Sequence, residues 1–117
     1  MTEIASTVPQ IARFRKVGNV TYFYGHVAVE ADGQPFQGPF LDEARRVFAC
    51  VAESLSAAGA TMADVVSVRA YLTDLADFAD FNQVWGETFT SNPPVRTTVQ
   101  AGLIEPFRIE LEIVASV

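Results

Sequence analysis

The sequence predicts an α+β domain, built as one mixed sheet with two helices packed on one face. Three observations carry this. Several runs rich in Val, Phe, Tyr and Thr alternate with period two, and two other runs repeat their apolar residues every three or four positions. Together these runs fall in the order β-β-α-β-α-β-β. At 117 residues, 50% of them hydrophobic and 19% charged, the chain is long enough for one core, too short for two and too apolar for disorder.

The elements follow in order. Residues 1–12 show no period and read as a less ordered start to a single domain spanning residues 1–117. FRKVGNVTYFYGHVAV, residues 14–29, reads as a hairpin turning at Gly18-Asn19, and Gly25 within it marks a bulge or a place where a ligand nears the backbone. EADGQPFQGPF is a loop with a turn at Asp32-Gly33. From Leu41 to Ala58 the apolar stripe Leu41, Ala44, Val47, Phe48, Val51 and Leu55 predicts a helix, with Asp42 and Glu43 at its positive end and Gly59 to stop it.

DVVSVRAYLTD, residues 64–74, returns to period two, with Val66, Val68, Ala70 and Leu72 on one face and Ser67, Arg69, Tyr71 and Thr73 on the other. A second helix starts at about Asp77 with the stripe Phe78, Phe81, Trp85, Thr88 and Phe89, and Asn92-Pro93-Pro94 ends it. Two strands close the chain. In one, Val95, Thr97 and Val99 alternate with Arg96, Thr98 and Gln100. In the other, Phe107, Ile109, Leu111 and Ile113 alternate with Arg108, Glu110 and Glu112.

Several function classes are disfavoured by composition. A net charge of -6, with Arg13, Arg15 and Lys16 as the one basic cluster, argues against binding a phosphate backbone. No run is long and apolar enough to span a membrane, and the start lacks a signal-peptide layout, so a cytoplasmic protein is expected. The lone Cys50 sits at an apolar helical position and reads as core filler. His26 has no partners at ligand spacing, so no metal is expected, and with no GxGxxG, P-loop, GxSxG or HExxH motif no other cofactor is expected either.

If the helices cover the apolar face, then Arg96, Thr98, Gln100, Glu110 and Glu112 point to the opposite one. The hairpin is apolar on both sides, Tyr22, Tyr24 and Ala28 against Phe23, Val27 and Val29, so its second side needs cover that two helices on one face do not supply. A second copy of the chain is the simplest cover, the alternative being tyrosines on a wet sheet surface.

Arg96 is the residue to explain. Spacing alone favours a structural ion pair with Glu110 or Glu112 across the sheet. The functional reading is that its planar fork binds a substrate carboxylate, leaving Glu110 free to activate a water. Asn82, on the second helix, reads by itself as a solvated or capping amide.

The stretches VGNVTYFYGHV, DVVSVRAYLTDLADFADFNQVW, NPPVRTTVQ and IELEIVA resemble the RidA family of reactive intermediate deaminases, also called YjgF-like proteins, from about Val17 to the C-terminus. The resemblance implies a chorismate-mutase-like fold assembled as a homotrimer, with sites in the clefts between subunits. It also implies hydrolysis of 2-enamine and 2-imino acids to 2-keto acids and ammonia without a cofactor. On that likeness Arg96 falls on the carboxylate-binding arginine, Glu110 on the water-positioning glutamate, Gly25 on the pocket glycine and Asn82 on a pocket asparagine. Thr98 falls on a position often held by Cys, Thr or Ala.

Arg96 and Glu110 are one residue closer than the commonest family spacing, which keeps Glu112 as an alternative base. Two departures from the pattern stand at Tyr24, where the family often has Ser and where a ring would fill pocket space, and at Ile11, where it has Tyr. Rival readings are a non-catalytic binder of carboxylate metabolites and a related hydrolase acting on an aminoacrylate or amide.

Overall fold

The computed structural model describes residues 9–117. The expected less ordered start falls in part on residues 1–8, which lie outside the described residues. Its remainder, residues 9–12, is exposed and belongs to no strand or helix. The elements are β1 (Phe14–Val17), β2 (Val20–Phe23), α1 (Phe40–Ala57), β3 (Val65–Leu72), α2 (Phe78–Thr88), β4 (Val95–Gln100) and β5 (Ile109–Ser116). The sheet runs β1-β2-β5-β3-β4, with β3 and β4 parallel and the other neighbours antiparallel. The parallel pair needs a crossover, and α2 supplies it.

Helix α1 forms because its apolar stripe can be buried along one side. Ala44, Val47, Phe48, Val51 and Leu55 are buried against the sheet, and Leu41 is partly so. Gly59 ends it at φ 77°, which lets the Ala60 N–H reach the Leu55 carbonyl at 2.9 Å and the Gly59 N–H reach that of Ser56 at 3.0 Å. Between α1 and the sheet, β3 contributes Val68, Ala70 and Leu72 to the core, and β5 contributes Ile109, Leu111, Ile113 and Ala115. Each fully buried aliphatic side chain there stabilises the fold by about 1.5–3 kcal/mol.

Three differences from the sequence expectation, two of them breaks in alternation, decide which side chains reach a site. In the hairpin, β2 ends at Phe23, and Tyr24 and Gly25 are both exposed before His26 and Ala28 turn inward. Between the pairs Tyr22–Val114 and His26–Leu111, this segment holds three residues against two on β5. That extra residue is a bulge, and it puts Ala28 in the core rather than beside Tyr22 and Tyr24 as expected. In β3 a register shift between Val65 and Ser67 buries Val65 and leaves Val66 46% exposed, so Val66 is not on the core face.

The third difference concerns β4, which alternates without a break. Arg96 and Thr98 pair in register with Val68 and Ala70, which point to the helices, while Val95 is 71% exposed and Val99 42%. The sequence expectation had these faces reversed. β4 is the sheet's edge and its helix side faces α2, whose rings accept a guanidinium. In α2 itself Phe81 and Val84 are buried and Trp85 and Thr88 are half-buried, as is Phe89 just past its end, while Phe78 sits at the rim. The stripe read from sequence missed Val84.

The face away from the helices carries Tyr22, Tyr71, Val95, Val99, Glu110 and Glu112, and it remains uncovered in the single chain. Among the described residues no helix is long and apolar enough to cross a membrane.

Candidate active site

The expected site residues fall into two groups on opposite faces of the sheet. On the helix side, α2 and β4 bring together Asn82 and Arg96. The guanidinium lies 5.4 Å from the ring centre of Phe78, 5.0 Å from that of Phe81 and 4.9 Å from that of Trp85. One N–H donates to Asn82 Oδ1 at 2.8 Å. Phe78, Phe81, Asn82 and Trp85 recur at helical spacing, so a single face of α2 holds the arginine plane.

Burial among these rings lowers the Arg96 pKa. Among the described residues Arg96 makes no ion pair, so the cross-strand pairing with Glu110 or Glu112 that spacing favoured is overturned. The reason is geometric, since the two glutamates lie on the other face of the sheet. Thr98 shares the helix-side face with Arg96, and its Oγ1 is buried with no hydrogen-bond partner.

On the open face, Glu110, Glu112, Tyr71 and Gly25 line a cleft of about 440 Å³ with Ala101, Gly102 and Leu103. Glu110 alternates with the fully buried Ile109 and Leu111 and so must point away from the core. Burial raises its pKa above the ordinary carboxylate value, and the charge of Glu112 adds to the rise. Gly25 lies so close that a Cβ at this position would collide with Glu110 Oε2. The bulge at Tyr24-Gly25 therefore delivers bare backbone to the carboxylate.

Glu112 accepts a hydrogen bond from the Tyr71 hydroxyl at 2.9 Å, whereas Glu110 has no side-chain partner among the described residues. Of the two acids Glu110 is therefore the uncommitted one. Sequence reasoning missed Tyr71 and the 101–103 segment. Tyr71 was legible as a residue on the non-core face of β3, but nothing in the sequence tied it to a glutamate.

Tyr24 does not line the Glu110 cleft. Its ring meets His26 edge-on at 5.3 Å and borders a separate hollow of about 290 Å³ with Arg13, Cys50 and Ser54. The expected loss of pocket space to this ring is thus not seen in the single chain. His26 is buried, and its Nε2 and Ser54 Oγ share a hydrogen bond of 2.8 Å. Burial lowers its pKa to about 4, helped by the charge of Arg13. Ile11 is 74% exposed.

Comparison with known proteins agrees with this architecture. The sequence matches the family described as Endoribonuclease L-PSP over residues 4–117. A RutC family protein of Pyrococcus abyssi is 35% identical over 102 residues, covering 86% of this chain and 80% of that protein. The mitochondrial protein MMF1 of Saccharomyces cerevisiae is 30% identical over 98 residues, covering 84% and 67%. The crystal structure of RidA from an Antarctic Psychrobacter superposes with a TM-score of 0.88 at 30% identity, covering 94% of this chain and 90% of the other. The chain accordingly belongs to the Endoribonuclease L-PSP family and is a RidA-like member of it.

Proposed function

We propose that this protein hydrolyses 2-imino acids, and the enamines that tautomerise to them, to 2-keto acids and ammonia, in clefts formed between copies of the chain. One observation carries the reading. Arg96 is a planar cation braced by three rings and Asn82, with no carboxylate engaged among the described residues, while the uncommitted Glu110 stands on the other side of the sheet. A bidentate anion is the natural partner for such a guanidinium.

The chemistry asks little of the protein. Arg96 holds the substrate carboxylate and so fixes C2. Glu110 takes a proton from a water as its oxygen attacks C2, the imine nitrogen gains a proton, and a carbinolamine forms. Collapse of the carbinolamine breaks the C–N bond, releases ammonia and leaves the keto acid. Imine plus water gives ketone plus ammonia, with no other reactant.

Arg96 and Glu110 of one chain face opposite ways, so a cleft containing both draws them from two copies. The uncovered face, with Val95 and Val99 at one edge and Tyr22 towards the other, gives such a contact its apolar area, and a homotrimer is the assembly that the RidA resemblance implies. We place the protein in the cytoplasm, acting on a diffusing metabolite. The family's name points to RNA, but a net charge of -6 opposes phosphate-backbone binding.

The test generates 2-iminopropionate or 2-iminobutyrate with a dehydratase or oxidase and follows keto-acid release. Wild type should accelerate release, and Arg96→Ala and Glu110→Gln should each abolish most of it. Mixing those two inactive chains under refolding conditions should restore part of the activity, because some clefts then receive an intact Arg96 and an intact Glu110. No acceleration by wild type sinks the hydrolytic reading, and no recovery on mixing sinks the shared cleft. Binding of keto acids without turnover would point to a carboxylate-binding protein instead.

A further inference from the structure

The Glu110 cleft carries a second carboxylate to which the hydrolytic reading assigns no task. Glu110 and Glu112 stand two residues apart on β5 and so project from the same face. The cleft wall holds both acids, Tyr71, Gly25 and the 101–103 segment, with no lysine, arginine or histidine among its described lining residues.

Glu112 is fixed rather than free. The Tyr71 hydroxyl donates to its Oε1 at 2.9 Å, and in the strand register Tyr71 lies directly across from Glu110. The register partner of Glu112 on β3 is Arg69. Arg69 borders a neighbouring hollow with Tyr22, Ser67, Val114 and Glu112, and makes no ion pair among the described residues. Towards the cleft, Glu112 therefore presents a charge that no contacting cation offsets.

We propose that Glu112, held in place by Tyr71, is a specificity determinant that admits imino acids with neutral or cationic side chains and rejects those bearing a second carboxylate. This rests on the reading in which Arg96 binds the substrate's first carboxylate and Glu110 activates water. A substrate so anchored has its C2 at Glu110, and a side-chain carboxylate one or two methylenes further on enters the space that Glu112 faces. Two like charges there repel through partly desolvated surroundings, where the interaction is several times stronger than in bulk water. Glu110 is common to every substrate during attack, so Glu112 is the group that converts side-chain charge into selectivity.

The experiment compares kcat/KM for imines produced by amino-acid oxidases from 2-aminobutyrate, glutamate and arginine, at a pH well above the carboxylate range so that Glu110 is ionised throughout. Wild type should prefer the neutral and the cationic substrate over the dicarboxylic one by more than about tenfold. Glu112→Gln should narrow the neutral-to-dicarboxylic ratio by about tenfold, and added salt should narrow it in wild type but much less in the variant. Tyr71→Phe, which leaves the charge but frees it to swing away, should give an intermediate ratio.

A ratio unchanged in Glu112→Gln overturns the proposal even if hydrolysis is robust. Should wild type hydrolyse none of the three, the hydrolytic reading fails and the filter is read by calorimetry with 2-oxobutyrate and 2-oxoglutarate. Discrimination by wild type that Glu112→Gln loses upholds the filter as a feature of binding, and equal discrimination by the two proteins overturns it.

Discussion

Removing the Glu43 carboxylate tests how the site is supported. Glu43 projects from the first turn of α1 and is 2% exposed. Its Oε1 accepts from Arg108 Nε at 2.7 Å and its Oε2 from the Arg108 backbone N–H at 2.9 Å, while Arg108 also donates to the Gly38 carbonyl at 2.6 Å. In Glu43→Ala both donors to the carboxylate lose their partner. Breaking a buried ion pair costs about 3–5 kcal/mol, but the Arg108 side chain is 39% exposed and water takes over part of its loss, which reduces the cost to about 2–3 kcal/mol.

For a chain of 117 residues that cost corresponds to a fall in Tm of about 10 °C, and Glu43→Gln, which keeps one acceptor, should lose about half as much. Melts followed by circular dichroism at one fixed protein concentration measure this, since any oligomer makes Tm concentration-dependent. There is a functional corollary. Arg108 anchors the far end of the segment whose residues 101–103 wall the Glu110 cleft, so Glu43→Ala should lose imine hydrolysis at temperatures well below its melt. A Tm within about 2 °C of wild type would refute the assignment of Glu43 as the tie between helix and cleft wall.

Three further outcomes follow from the same geometry. Gly25→Ala should lower kcat/KM by about a hundredfold with little change in Tm, because the new Cβ displaces the Glu110 carboxylate, and an unimpaired variant would mean that Glu110 is not the base. The pH–rate profile should lose activity on the acid side with a midpoint above the ordinary glutamate value, because Glu110 works only when ionised and burial favours its protonated form. In Glu112→Gln that midpoint should move to lower pH, and an unmoved limb would contradict the arrangement. The buried His26, whose pKa falls from 6.5 when unfolded to about 4 when folded, stays uncharged in the native state while the unfolded chain takes up a proton, so stability falls as pH drops through that window. The loss is up to about 3 kcal/mol, and urea unfolding of His26→Gln should show it reduced.

The sequence made the element order and both helices legible, because a stripe such as Val47, Val51 and Leu55 recurs over several turns and Gly59 marks a definite stop. It was less informative wherever a strand carries an irregularity. Alternation records which residues share a face only until a bulge adds one, and the bulges at Tyr24-Gly25 and at Val66 leave no trace in hydrophobicity. For β4 the difficulty was of another kind. Val95 and Arg96 clearly lie on opposite faces, but which face meets the helices depends on the partner rings of α2, which come from another part of the chain. The pairing of Tyr71 with Glu112 was illegible for the same reason, since 41 residues separate them and strand register alone brings them together.

That reversal of β4 bears on how the proposed site keeps its two charges in working order. A substrate-binding arginine and a catalytic glutamate on the same face of a sheet, with only β3 between their strands, could reach each other as long side chains, and the resulting ion pair would occupy the anion site and depress the pKa of the base. The fold avoids this by giving Arg96 to the aromatic side of the sheet and Glu110 to the open side. The rings of Phe78, Phe81 and Trp85 hold the guanidinium by its faces and leave N–H edges for an anion, which a carboxylate partner would not do. On the other side Tyr71 occupies Glu112, and Glu110 is left with backbone at Gly25 for a neighbour. In the proposed assembly the two groups come from different copies, so that the substrate, bound between them, separates the cation from the base.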